Sequence, residues 1–99
     1  MKITINTVKF DADRKLILFV QNKVKKLTKF FDDIVGAEVF LKLENVQDTD
    51  NKVVEIKVDV PGGSLFSRKQ SKSFEESTDL AVNALKLQVI KRKEKIRGM

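Results

Sequence analysis

The sequence predicts an α+β protein in which two helices cover one face of a four-stranded sheet, in the order β-α-β-β-β-α. Stretches in which apolar and polar residues alternate indicate the strands, and two longer stretches with apolar residues at spacings of three and four indicate the helices. The chain has 99 residues, of which 41% are hydrophobic. That is enough for one hydrophobic core but too little for two. We therefore expect a two-layer sandwich that forms a single domain over residues 1–99.

The N-terminal third predicts one strand and one helix. Lys2 to Ile5 alternate polar and apolar side chains and predict a short strand. Asp13 is placed to cap the following helix, because its carboxylate can accept hydrogen bonds from the unpaired amides of the first turn. Gly36 is predicted to end this helix, since glycine is common just after helix C-termini. The apolar stripe of the helix consists of Leu16, Val20, Val24, Leu27 and Phe31.

Three further strands are predicted in the middle of the chain. The first runs from Val39 to Leu43, and the polar stretch from Gln47 to Asn51 supplies a turn. The second is the alternating segment from Val54 to Val60, which places Val58 inward and Lys57 outward. Pro61 to Gly63 turn the chain into the third strand, from Leu65 to about Gln70. Such short connections predict an antiparallel meander.

The second helix begins near Ser73 and Glu76, which have the spacing of a capping box. Its apolar face consists of Phe74, Thr78, Ala81, Val82, Leu85, Val89 and Ile96. Both helices must bury their apolar faces, and the sheet offers one apolar face to receive them. We therefore expect the two helices side by side on the same face of the sheet.

The composition argues against catalysis and against bound cofactors. The sequence contains no Cys, His, Trp or Tyr, so a typical zinc site cannot be built and the commonest general base is missing. The acidic pairs Asp32–Asp33 and Asp48–Asp50 are interpreted as helix-end and turn residues rather than a metal or acid–base site. The N-terminus is too polar for a signal peptide, and no apolar run approaches a membrane span. We expect a cytoplasmic protein without a membrane partner.

The positive charge is concentrated in two segments. The formal net charge is +6. Residues 14–31 contain six basic and no acidic residues, and residues 86–97 contain six basic residues and a single acidic one. Acidic residues outnumber basic ones between residues 37 and 85. Segregated positive charge predicts a polyanionic partner.

Eight basic residues of these segments are the candidate RNA-binding residues: Lys23, Lys26, Lys29, Lys86, Lys91, Arg92, Lys93 and Lys95. Two simpler interpretations remain open. Cations near the C-terminus of a helix are favoured by its dipole, which accounts for about two of those on the second helix. Lys23 borders the apolar stripe and can simply lay its methylene groups over the edge of the core. Lys26 and Lys29 are predicted to lie further into solvent.

All the aromatic residues are phenylalanines. Phe31 and Phe74 fall in the apolar stripes and are predicted core residues. Phe40 and Phe66 are predicted on the far face of the sheet, where proteins that bind single strands place stacking rings. The dense aromatic pattern of an RNA-recognition sheet is missing, so stacking is the less favoured interpretation.

Two helical segments resemble a known family. The run Phe19-Val20-x-x-Lys23-x-x-Lys26-Leu27-x-x-Phe30-Phe31-Asp32 is similar to the first-helix signature of the bacterial ribosome hibernation-promoting factor / protein Y family. Asp79 to Leu85, followed by Gln88-x-x-Lys91-x-Lys93-x-Lys95, is similar to its second signature. The strand motif Val39-x-Leu41-Lys42-x-Glu44 and the turn Gly62-Gly63 also match. The resemblance covers essentially the whole chain.

The resemblance implies a fold similar to double-stranded RNA-binding domains and a ribosome-associated translation inhibitor. Such a protein binds small-subunit RNA in the decoding channel, with contacts to ribosomal proteins also possible, and silences ribosomes in stationary phase or stress. The chain resembles the short form, expected to be monomeric off the ribosome. Ala84 and Leu87 stand where many members carry Lys and Arg. Two alternatives stay open, a generic double-stranded-RNA-binding module and a transcription modulator that acts through protein contacts.

Overall fold

The computed structural model describes residues 2–44 and 50–97, with side chains described as far as Arg92. Strands β1 to β4 span Lys2–Val8, Gly36–Leu43, Lys52–Val60 and Gly63–Ser71. Helix α1 spans Arg14–Lys25 and continues as a short 3₁₀ helix, Lys26–Lys29, and helix α2 spans Phe74–Arg97. The element order is the predicted one, and each strand is longer than the sequence pattern indicated.

The four strands form one mixed sheet in the order β1-β2-β3-β4. Strands β2, β3 and β4 pair antiparallel, which confirms the predicted meander. Strand β1 pairs parallel with β2, so α1 is the crossover connection between two parallel neighbours. The Glu44 amide donates to the Asn51 carbonyl at 3.0 Å across the β2–β3 connection. Residues 47–49 of the predicted turn lie outside the described residues.

Both helices pack on the same face of the sheet, and the core lies between the two layers. The inward residues of β2 and β3 alternate with outward ones, as predicted; Val58 is fully buried whereas Lys57 is exposed. Phe31 and Phe74 are buried in the same core, which confirms their assignment. Its fully buried members include Val20, Val24, Leu27, Val39, Leu41, Val54, Ile56, Ala81, Leu85 and Val89.

Both predicted helix starts are found, one of them in modified form. The Asp13 carboxylate accepts a hydrogen bond from the Leu16 amide at 2.8 Å. The Ser73 hydroxyl accepts from the Glu76 amide at 3.1 Å, which is half of a capping box. The other half is replaced, because the Ser73 amide donates to the Ser71 hydroxyl rather than to the Glu76 side chain.

The predicted role of Gly36 is wrong. Helix α1 ends at Lys25, and Gly36 is the first residue of β2. A Cβ atom at this position would lie 3.2 Å from the carbonyl oxygen of Lys2. Glycine therefore serves the close approach of β1 and β2. The end of the helix was misplaced because Leu27 and Phe31 keep the helical spacing and are buried although they follow α1.

Within the described part of the chain, no helix is both long and apolar enough to cross a membrane. The same residues contain no group of three His, Cys, Asp or Glu side chains that could hold a metal ion. Asp32 and Asp33 are both exposed in the turn before β2, whereas Asp48 lies outside the described residues.

Candidate nucleic-acid interface

The first helical segment and α2 run in the same direction. The first helical segment here means α1 and the 3₁₀ helix with their flanking residues, 10–30. Three side-chain contacts join it to α2 in the same order along both: Phe10 with Phe74, Lys23 with Asp79, and Phe30 with Lys86. The first is a stacked ring pair with centroids 4.6 Å apart, and the second is an ion pair of 3.1 Å. In the third, the ammonium group lies 4.4 Å from the ring centroid. The C-terminal parts of both segments therefore lie at the same end of the molecule.

This parallel packing separates the charges along the helical layer. Acidic residues precede or open both helices: Asp11, Asp13, Glu75 and Glu76. They are favoured there because a helix N-terminus carries partial positive charge. Arg14 and Lys15 lie in the first turn of α1, but the other four basic residues of the first segment and all six of the second follow in the second halves of the helical segments. These ten charges reinforce each other at one end.

Lys23 lies between the two helices. Its ammonium group is 3.1 Å from a carboxylate oxygen of Asp79 and 5.4 Å from the ring centroid of Phe19. The side chain is 32% exposed. Lys23 therefore contributes to helix packing through an ion pair and a ring contact, while part of its charge still faces solvent.

Lys26 and Lys29 lie in the 3₁₀ helix rather than in α1, and both are exposed. They line a shallow open depression together with Asn22, Lys25 and Thr28. We name this depression the lysine notch. Lys25 belongs to the first basic segment but is not among the eight candidate RNA-binding residues. Its position four residues before Lys29, on the polar side of the stripe, was the available signal.

The basic side chains of α2 point to different sides of the helix. Lys86 is half-buried against Phe30 and faces the first helical segment. Lys91 is exposed on the ridge of α2 that also carries Leu87, four residues earlier. Arg92 lies on the flank towards β4, where its Nη2 donates to the Pro61 carbonyl at 2.6 Å. Lys86 and Arg92 thus point away from each other. The side chains of Lys93 and Lys95 are outside the described set, although α2 continues through Arg97.

Ala84 and Leu87, the two departures noted above, occupy different environments. Ala84 is half-buried, whereas Leu87 is 64% exposed. A basic residue at position 87 would stand fully in solvent on the same ridge as Lys91. In this chain the residue at position 87 is therefore an exposed apolar side chain close to Lys91.

The far face of the sheet is a poorer candidate for binding a polyanion. Phe40 and Phe66 do lie on it, and Phe66 is 52% exposed. The charges between them are balanced within the face: Lys42 pairs with Glu55 at 3.0 Å, and Arg68 pairs with Glu55 at 3.2 Å and with Glu44 at 3.1 Å. Carboxylates at these positions would repel phosphates. The basic end of the helical layer is therefore the candidate interface.

Comparison with known proteins identifies related sequences along the whole fold. The family described as "Sigma 54 modulation protein / S30EA ribosomal protein" matches residues 3–97. A Bacillus subtilis protein named ribosome hibernation promotion factor is 32% identical over 77 residues, covering 78% of this chain and 40% of that protein. The chain thus spans less than half of that relative. A Pseudomonas putida ribosome hibernation promoting factor is 25% identical over 99 residues and is covered to 93% of its length.

A solved structure supports the same fold. A ribosomal subunit interface protein from Coxiella burnetii superposes with a TM-score of 0.84, covering 95% of this chain and 99% of that one. The two sequences are 20% identical. The four-stranded sheet with two helices on one face is therefore an architecture that this chain shares with that structure.

Proposed function

Since this chain belongs to the sigma 54 modulation protein / S30EA ribosomal protein family, we propose that it binds the small ribosomal subunit and inhibits translation. The observation that carries the proposal is the parallel packing of the helical segments, which puts most residues of the two basic segments at one end of the molecule. Related proteins bear the name ribosome hibernation promoting factor. Ribosomal RNA is the polyanion that this basic end fits.

The proposed mechanism is occupancy of the decoding channel. Exposed Lys25, Lys26, Lys29 and Lys91 would neutralise phosphates and release counterions. The described residues extend 47 × 24 × 18 Å, a slender body that can lie along a channel and leave no room for messenger or transfer RNA. Inhibition then needs no reacting group, only a bound protein in a site that translation must use.

The remaining predictions follow from that mechanism. The family consists of ribosome-binding proteins that are not enzymes, which confirms the expectation of no catalysis. A protein that acts on ribosomes works in the cytoplasm. We further propose that residues 1–99 act as one ribosome-binding domain, that the protein is monomeric off the ribosome, and that it acts in stationary phase or stress. Its contacts are to small-subunit RNA and, at the edges of the site, to ribosomal proteins.

Cosedimentation with purified small subunits through a sucrose gradient tests the binding, and a cell-free translation assay tests the inhibition. We expect one bound protein per subunit and inhibition that rises with occupancy. The logarithm of the binding constant should fall with the logarithm of salt concentration with a slope on the order of 4 to 8, because several phosphates are neutralised together on binding. A flat salt titration would contradict the electrostatic mechanism.

Competition separates this function from the two alternatives. A generic double-stranded-RNA-binding module would be displaced from small subunits by a long RNA duplex of unrelated sequence. A transcription modulator that works through protein contacts would bind its partner with little salt dependence. The proposed ribosome site predicts that duplex RNA displaces little protein when its phosphate concentration equals that of the small subunits.

A further inference from the structure

A polar depression lies where the end of α1 faces the start of β1, and we name it the α1–β1 depression. Its volume is about 640 Å³, within the range of small-molecule sites. Six of its lining residues carry the argument: Ile3, Gln21, Asn22, Lys25, Asp32 and Ile34. They come from β1, α1 and the turn before β2, so the sheet edge and the helix hold the site from different sides.

The lining has an apolar bottom and a polar opening. Ile34 is buried and Ile3 is half-buried, whereas Asn22, Lys25 and Asp32 are exposed around the opening. The amides of Gln21 and Asn22 and the carboxylate of Asp32 make no hydrogen bond or ion pair with any other described side chain or backbone group. The two amides therefore offer both hydrogen-bond donors and acceptors to a ligand, and the carboxylate offers acceptors.

The lysine notch adjoins this depression. Both are lined by Asn22, Lys25 and Thr28, and the notch adds Lys26 and Lys29. A hollow without net formal charge, whose charged residues are Lys25 and Asp32, thus stands beside a cationic one. A nucleotide has the same division, with a flat base that forms hydrogen bonds at its edge and a phosphate that carries the negative charge.

We propose that the α1–β1 depression receives one unpaired nucleobase of the bound RNA, with the adjoining phosphate in the lysine notch. The inference rests on the proposed function and gives it a specificity-determining contact. Single-stranded loops and bulges present such bases, and proteins read them at their hydrogen-bonding edges. The base face would lie on Ile3 and Ile34, and its edge would meet the amides and the carboxylate.

Asp32 makes guanine the preferred base. An ionised carboxylate accepts two hydrogen bonds and donates none. Guanine presents two neighbouring N–H donors, N1–H and the N2 amino group, on its Watson–Crick edge. Adenine and uracil present an acceptor at one of the corresponding positions, which would face a carboxylate oxygen and repel it. Asn22 and Gln21 can donate to the O6 atom of guanine, the remaining acceptor on that edge.

The test uses fluorescein-labelled single-stranded hexanucleotides that contain one guanine or one adenine among uracils, titrated with the full chain. We expect the guanine oligonucleotide to bind at least about fivefold more tightly, the lower end of what one paired hydrogen-bond contact to a base provides. Asp32→Asn should abolish this preference. Asp33→Asn is the matched control, because the neighbouring exposed carboxylate does not line the depression, and it should keep the preference.

NMR spectra of protein labelled with the heavy nitrogen isotope give a second readout that does not depend on affinity. The side-chain amide resonances of Gln21 and Asn22 should shift on addition of the guanine oligonucleotide and stay unchanged in Asp32→Asn. Equal binding of both oligonucleotides without these shifts would overturn the base site. Saturation of the same shifts by free guanosine monophosphate as readily as by the oligonucleotide would overturn the assignment to RNA. If the parent and Asp32→Asn cosediment equally with small subunits, the base site is wrong while the proposed function stands. If neither protein cosediments, the proposed function itself is wrong.

Discussion

Arg92 is hydrogen-bonded through Nη2 to the carbonyl oxygen of Pro61, 2.6 Å away and 31 residues earlier in the chain. Pro61 and Gly62 form the turn between β3 and β4, and Gly62 has a φ of +83°, a conformation that suits glycine. The guanidinium lies close enough that a Cβ at Gly62 would be 3.7 Å from Nη2. One of the predicted RNA-binding residues thus ties α2 to a turn of the sheet.

This hydrogen bond predicts that Arg92 matters for stability. Arg92→Gln should lower the free energy of unfolding by about 1–2 kcal/mol, because it removes a hydrogen bond from a charged group at a half-buried site. Lys91→Gln, at the exposed neighbouring position, should change it by less than about 0.5 kcal/mol. Urea denaturation measures both. Equal midpoints for the two variants would show that the bond to the turn contributes nothing.

Arg92→Lys separates the structural role from an RNA contact. Lysine keeps the positive charge but lacks the planar guanidinium that spans from α2 to the turn. If Arg92 acts on RNA through its charge alone, Arg92→Lys should bind small subunits like the parent and still be less stable.

The ion pair between Lys23 and Asp79 predicts a variant with increased affinity. Asp79→Asn removes the carboxylate that holds the ammonium group and leaves Lys23 available to phosphate. We expect roughly twofold to fivefold tighter binding to small subunits and a salt slope larger by about one unit. The free energy of unfolding should fall by less than about 1 kcal/mol, since the pair is partly exposed.

Asp59→Asn is the control for overall charge. Asp59 lies on the far face of the sheet, where its carboxylate is 4.0 Å from Lys57. Both substitutions raise the net charge equally and both release a lysine. Equal gains in affinity from Asp59→Asn and Asp79→Asn would mean that net charge, rather than the position of Lys23, controls binding.

Regular periodicity made much of the fold predictable from the sequence. Strand β3 alternates along most of its length because one of its faces is buried under the helices and the other faces solvent. The Asp13 cap depends on neighbouring residues, so it too could be predicted. The two-layer arrangement followed from the need of both helices to bury apolar stripes on a single sheet.

Features that depend on distant parts of the chain escaped prediction. Leu27 and Phe31 keep the four-residue spacing of an α-helix although both follow α1, so the end of α1 could not be located. The interaction of Arg92 with the β3–β4 turn joins residues far apart in sequence and leaves no periodic signal. The same holds for Gly36, whose neighbour is the backbone of another strand.

Gly36 therefore gives a direct test of the β1–β2 approach. Gly36→Ala should lower the free energy of unfolding by on the order of 1–2 kcal/mol, because the new methyl group would press against the Lys2 carbonyl and the backbone would have to move. Gly63→Ala is the control, since a Cβ there has no neighbour within 4 Å. That variant should be neutral or slightly more stable, because alanine restricts the unfolded chain. Thermal denaturation of both variants decides the point, and an unchanged melting temperature for Gly36→Ala would show that the strands can separate without cost.

The basic end of the helical layer gives the last prediction, which concerns where the charge must be. Lys26, Lys29 and Lys91 are exposed residues of the candidate interface, and their joint replacement by Gln should leave the fold intact. The binding constant for small subunits should fall at least about tenfold, and the salt slope should shrink by roughly one unit for each phosphate that the variant no longer neutralises. Inhibition of cell-free translation should weaken in proportion, because the proposed inhibition requires occupancy.

A second triple variant removes the same charge elsewhere. The variant replaces three other exposed lysines. Lys57 lies on the far face of the sheet, Lys69 on β4, and Lys72 between β4 and α2. Their joint replacement by Gln should lower affinity much less, since a smaller net charge alone weakens only the long-range attraction that salt screens. If the two triple variants showed the same decrease in affinity and inhibition, the placement of the basic segments at one end would have no role, and the protein would act through net charge alone.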